Sequence, residues 1–238
     1  MNSPQALAVI MLAAMIHASF QLSVSVLTLI NGHSLSAKYS RRRLMNLSSS
    51  FVLGAGLMVF LLISSLSWII LEMFHGEVPN YIWSVACGIL LGIAIAIWLF
   101  YYRREKGTAL WIPRDFAEYL TNRTKKTKSI SEAFGLGLSS VLAEILFIVG
   151  PLLIAGLALT KVSQSMRMAG VLIYVLISVA PLLVVWSLVG GGYSLSKIQR
   201  WREKNKYFLQ FAAGFGLIIA SFFVYANEIV SNLSRTIS

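Results

Sequence analysis

Two ionisable side chains lie deep within apolar stretches of this chain, His17 and Glu144. A polar group in hydrocarbon costs free energy, so an ionisable one held there is a candidate for handling an ion or a proton. Gln21 follows His17 by four residues and Ser140 precedes Glu144 by four, so each pair shares a helix face. At about 1.5 Å rise per residue, counting from opposite membrane faces puts His17 and Glu144 within a few ångström of the same midplane. Converging there, His17, Gln21, Ser140 and Glu144 would line a small site for a solute or ion. Burial disfavours the charged form of both acid and imidazole, which would let a proton pass between them near neutral pH. The plainer readings make Glu144 a protonated or paired structural carboxyl and His17 a polar bond between helices. Glu72, Glu77 and Glu228 fall at outer helix ends, where solvation costs little, and take no role.

The backbone offers matching discontinuities. Gly150-Pro151 is expected to interrupt the fourth apolar helix and Pro181 the fifth. Each proline removes a backbone donor, and breaks at depth are how transporters bind ions and let segments move. Gly88-xxx-Gly92 and Ala212-xxx-Gly216 have the spacing of close helix packing, and the Gly88/Gly92 face could also join copies of the chain. Other chemistries find no footing. Cys87 is the single cysteine, so no dithiol cycle can run within one chain. The three histidines are spread along residues 1–75, which disfavours a metal cage. There is no His-Glu-x-x-His, no glycine-rich nucleotide loop and no intramembrane aspartate pair. The expectation is no catalytic residues, no metal and no cofactor.

The elements that must hold these residues follow from composition. Hydrophobic residues make up 57% of the 238 and charged ones 12%, too few to coat a soluble surface. Six stretches, about 6–30, 47–73, 81–102, 133–159, 169–189 and 207–225, approach or exceed the roughly 20 apolar residues that cross a bilayer as a helix. Hydrocarbon offers no hydrogen-bond partners, so the backbone must close its bonds internally. The ten-residue alternation of a β-barrel is absent. The fold class is therefore all-α, a single polytopic transmembrane domain over 1–238 with a loop at 103–131. The first stretch has no basic start and is too long for a secretion signal, so it reads as a retained helix.

Charge sets the orientation. The loops after helices 1, 3 and 5 hold 17 of the 20 basic residues, leaving Lys161, Arg167 and Arg235 on the other side. Basic loops stay in the cytoplasm, which places both termini outside. The net charge of +11 is thereby a topology signal facing anionic lipid rather than a nucleic-acid surface. Trp68 and Trp83 fall near the outer interface, and Trp98, Trp186 and Trp201 near the inner one. Within 103–131, Pro113 and the spacing of Phe116, Tyr119 and Leu120 predict a short helix on the inner membrane surface. Ser129 and Glu132 then form a capping box opening helix 4. Three helices, a long loop and three more helices make two halves of opposite orientation, a 3+3 inverted repeat.

The segment Leu22-Ser23-Val24-Ser25-Val26-Leu27-Thr28-Leu29-Ile30-Asn31-Gly32 resembles the first helix of the CcdA/DsbD membrane thiol-disulfide carriers, which reads Leu-Ser-Pro-Cys-Val-Leu-Pro-Leu-Leu-Pro-Gly. Phe134-Gly135-Leu136-Gly137-Leu138-Ser139-Ser140 resembles a degraded second repeat. Those carriers are similar in fold to the LysE-type exporters, and the resemblance implies six helices in two inverted halves. Ser25 stands where the redox family has cysteine, and Val24 and Thr28 replace prolines, which disfavours electron carriage. The branch that remains implies a small exporter of a solute or ion in the bacterial inner membrane. Two alternatives come from other classes: a non-transporting scaffold acting through Trp111–Leu120 and the Gly88/Gly92 face, and a lipid-acting enzyme using Glu144 and His17 as an acid–base pair.

Overall fold

A computed structural model describes residues 1–20, 41–101, 122–124, 127, 129–192 and 195–231. Seven α-helices account for most of them: α1 Ser3–Ser19, α2 Arg41–Phe74, α3 Asn80–Ala96, α4 Ile130–Ala143, α5 Ile145–Leu159, α6 Gln164–Gly190 and α7 Leu195–Val224. Short π-helical turns extend α3 over Ile97–Tyr101 and α7 over Tyr225–Val230. No strand occurs among the described residues.

Local chemistry explains several boundaries. Asn2 and Gln5 form a reciprocal capping box at the start of α1, with Pro4 in the first turn where its missing N–H is harmless. The expected box at α4 is present: the Glu132 amide donates to Ser129 Oγ and the Ser129 amide to the Glu132 carboxylate, both at 3.2 Å. Between α2 and α3 the chain reverses through His75 and Gly76, both at positive φ, and only the glycine adopts that without a Cβ penalty. α2 and α7 start well before the expected spans, because basic and polar residues such as Arg41–Arg43 and Lys197–Lys204 sustain a helix in water as readily as apolar ones do in lipid.

The helices run between two poles. Met1, Lys161 and Glu228 meet at one, and Ser3 Oγ donates there to the Lys161 carbonyl. The starts of α2 and α4 meet at the other, where Ser50 Oγ donates to the Ile130 carbonyl at 2.7 Å. α5 is apolar all round and buried along most of its length among α1, α2 and α3, as a helix without a polar face must be. The outer helices instead turn large apolar side chains outward: Leu53, Leu57, Leu61 and Trp68 on α2, Phe208, Phe215 and Phe222 on α7. Apolar rows of that length on the exterior of a protein are a lipid-facing surface. The chain is a multi-pass integral membrane protein. Four helices are long and apolar enough to cross, and α4 with α5 makes a fifth crossing if the pair is one bent span. The first expected span, 6–30, is described only to Phe20, and the 103–131 loop helix lies outside the described residues.

Three expectations are corrected. The fourth apolar stretch does break, but at Glu144, where α4 and α5 meet at 78°. Pro151 sits within a continuous α5, held by burial, and Gly150 lies against Leu90 and Ile93. Likewise Pro181 lies within a continuous α6. Trp83 is not an interfacial anchor: its ring points inward and is fully buried. The Gly88-xxx-Gly92 stripe meets no neighbour, since a Cβ built on either glycine has nothing within 4 Å. The close approach occurs elsewhere. A Cβ on Gly54 would overlap the Phe134 carbonyl, and one on Gly137 the Phe51 carbonyl, so α2 and α4 touch backbone to backbone. On α7 the other small-residue pair does pack, Gly216 lying against Ile16.

Candidate functional site

Depth comes first. From the Met1 pole, Ser3 to His17 is about 21 Å of helix, and Gln164 to Ser178 is also about 21 Å. Leu159 back to Glu144 is about 22 Å, as is Phe74 back to Val59. Four helices therefore carry these residues to one level. α2 continues about 24 Å beyond Val59 to Arg43, so that level is near the middle of the molecule. A cavity of about 20 Å³ lies there, lined by His17, Ala55, Val59, Glu144, Ser178 and Pro181 among others. Its volume is that of one water-sized group.

Helix ends converge at the same level. α1 stops at Ser19, with the Phe20 amide donating back to the His17 carbonyl at 3.1 Å. α4 stops and α5 starts at Glu144, whose φ of −84° and ψ of −3° lie in the bridge region rather than in a regular helix. The Glu144 amide donates to Val141, and the Glu144 carbonyl accepts from Phe147 and Ile148. Helix termini leave backbone groups without intrahelical partners, and such termini at depth occur where protein or a polar cavity surrounds them. Pro181 adds one more freed group, the Ile177 carbonyl four residues earlier.

His17 and Glu144, 4% and 3% exposed, both border this cavity, so the structure brings the two residues to one small space. His17 Nδ1 is 2.9 Å from the Tyr174 hydroxyl, which is completely buried. Phe20 stacks on Phe147 at 5.4 Å, tying the end of α1 to the first turn of α5. Ser140 does not border the cavity. It is buried one turn before Glu144 and its hydroxyl donates to the Gly137 carbonyl at 2.8 Å. A serine in a helix satisfies itself in this way when no better acceptor faces it. Gln21 lies outside the described residues.

Two residues of the cavity region had a sequence signal that spacing from His17 and Glu144 could not reveal. Tyr174 and Ser178 are the only hydroxyl side chains between Met168 and Val185, four residues apart on one face and one turn before Pro181. Glu228 is a further correction. Expected at a solvated helix end, it is 1% exposed, with the Met1 ammonium at 2.7 Å and Lys161 Nζ at 3.6 Å. The π-helical turn carries it inward under the start of α1.

Comparison with protein-family models, with curated proteins and with solved structures finds no match to this chain, so the chemistry of the site rests on its own geometry.

Proposed function

We propose that the chain is a small carrier of the bacterial inner membrane, moving a solute or ion with proton coupling through a site at mid-depth. The observation that supports this reading is the meeting of His17 and Glu144 on one small cavity, at the level where α1 ends and the α4–α5 span breaks. Space for one water-sized group suits a coupling proton, which Glu144 would carry and His17 would exchange. Gln21 would extend the polar lining from the chain beyond α1. In this reading there are six crossings in two inverted halves, the basic loops face the cytoplasm and both termini lie outside. The bend at Glu144, with Pro151 and Pro181 on the adjoining helices, is where the halves move against each other.

The test uses the full chain in proteoliposomes loaded with a pH-sensitive dye under an imposed pH gradient. Glu144→Gln should remove protein-dependent proton flux while leaving the helical circular dichroism unchanged. A variant that keeps the full rate takes Glu144 out of the mechanism. One observation favours the scaffold reading: the outward Gly88/Gly92 face is open to a second copy or a partner helix. In that case Glu144→Gln is silent, and leucine at Gly88 disrupts the assembly.

A further inference from the structure

The polar groups around the mid-depth cavity are weighted towards acceptors. Several hydroxyl and amide protons there are committed within the fold. Ser178 Oγ donates to the Val175 carbonyl at 3.0 Å, so to any further group its hydroxyl offers only lone pairs. Ser19 Oγ donates to the Ile16 carbonyl at 2.6 Å and the Phe20 amide to the His17 carbonyl at 3.1 Å. The Glu144 amide is likewise engaged by the Val141 carbonyl. On the acceptor side, Pro181 leaves the Ile177 carbonyl without its helical donor, and Glu144 brings a carboxyl group. Glu144 already has a partner within the fold, but a carboxylate offers about four lone-pair sites and can serve a ligand as well.

Helix ends add to the bias. α1 and α4 both stop at this level with their negative, C-terminal ends, against the single positive start of α5. Helix C-termini and carbonyls freed at breaks are the groups that hold small cations near the midplane of a membrane. Charge and size then select the cation. Among the described residues, the titratable groups at this level are His17 on α1, Tyr174 on α6 and Glu144, while α2 contributes Ala55 and Val59. With the imidazole neutral and bonded to Tyr174, one carboxylate balances one positive charge. A divalent ion would leave a charge unbalanced in hydrocarbon. Nowhere among the described residues do three His, Cys, Asp or Glu side chains gather, which disfavours a transition metal. Room for one water-sized group admits a dehydrated sodium ion, suits the larger potassium ion less well and excludes organic cations.

We infer that the mid-depth cavity binds a sodium ion, held by Glu144, the Ser178 hydroxyl and the Ile177 carbonyl. This rests on the reading of Glu144 as the coupling residue and names the second ion that it carries. Sodium and the proton then compete for one carboxylate. Glu144 is neutral with either bound and charged with neither, and a bare charge at mid-depth is costly, so only the two loaded forms change sides. The outcome is exchange of one sodium ion for one proton, with no net charge moved.

Thermal unfolding of the full chain in detergent, at alkaline pH and in matched sodium, potassium or choline chloride, tests the site. Sodium should raise the unfolding midpoint, and the other two salts should not. Ser178→Ala should need about tenfold more sodium for the same rise, as expected for the loss of one ligand. Ser187→Ala is the control: this exposed serine bonds its own helix in the same way, donating to the Leu183 carbonyl, and its loss should leave the sodium response intact. Glu144→Gln should abolish the response, and the Ser178 variant decides the matter where that one does not fold. Equal midpoints in the three salts, or a sodium response untouched by Ser178→Ala, overturn the site. Dye-loaded proteoliposomes separate this inference from the carrier reading. External sodium should discharge an acidic interior at a rate independent of membrane voltage. Proton flux that is as fast in choline overturns the sodium site and keeps the carrier, whereas stabilisation by sodium without flux keeps the site and overturns the carrier.

Discussion

At the scale of single residues, the decisive contact is His17 with Tyr174. A neutral imidazole has one nitrogen that donates and one that accepts, so the 2.9 Å bond at Nδ1 restrains the ring and leaves Nε2 for other contacts. Both side chains are buried, which makes loss of either partner costlier than at a surface. Tyr174→Phe should destabilise the protein by about 1–3 kcal/mol, since it strands a buried polar atom. A double-mutant cycle with His17→Leu, read by equilibrium unfolding in mixed micelles, should give a coupling of about 1 kcal/mol. A coupling of zero would show that the two side chains do not support each other. His17 and Glu144 were legible in the sequence because an ionisable residue in an apolar run stands out. Tyr174 carried only the weaker signal of sharing a face with Ser178, since a tyrosine in a membrane helix is common and nothing along the chain indicates that it turns towards α1.

Among elements, packing is set by where small residues meet a neighbour rather than by where they recur. Gly88 and Gly92 have the right spacing and open space around them, whereas Gly54 and Gly137 lie on different helices and interlock. Leucine at Gly54 or Gly137 would force α2 and α4 apart and should cost at least about 2 kcal/mol. Leucine at Gly88 should change the stability of the monomer by no more than about 0.5 kcal/mol. Thermal unfolding of the three variants compares them directly, and equal losses would contradict the α2–α4 contact. The same distinction explains the misplaced break. Proline weakens a helix, but Pro151 lies in a segment enclosed by three neighbours, so the bend is displaced to Glu144, where α4 ends. Cys87 and Ser221 show how other elements are joined: each side chain bonds the other's backbone carbonyl, linking α3 to α7.

For the molecule as a whole, the asymmetry of charge is the feature with the longest reach. Arg42, Arg43, Lys197 and Lys204 stand at one pole, and Lys161 and Arg167 at the other, where Lys161 faces Glu228. With Cys87 replaced by serine, Ser165→Cys should react with a membrane-impermeant maleimide on intact cells, and Lys204→Cys only after permeabilisation. The reverse pattern would invert the orientation. The lipid-facing rows of α2 and α7 are the reason a bilayer, rather than a second layer of protein, completes the fold.

The sequence by itself determined the membrane class, the apolar lengths of the helices, the cap that opens α4, and the depth of His17 and Glu144. All of these follow from composition and from a fixed rise per residue, which are properties of one chain segment at a time. Only the tertiary structure decided that His17 and Glu144 border one cavity, that Tyr174 bonds the ring, and that Glu228 and Trp83 turn inward. It also decided that two unlinked glycines make the tightest contact. Rise along a helix is dictated locally, but the direction in which a side chain points matters only relative to a neighbouring helix, and that neighbour is chosen by packing.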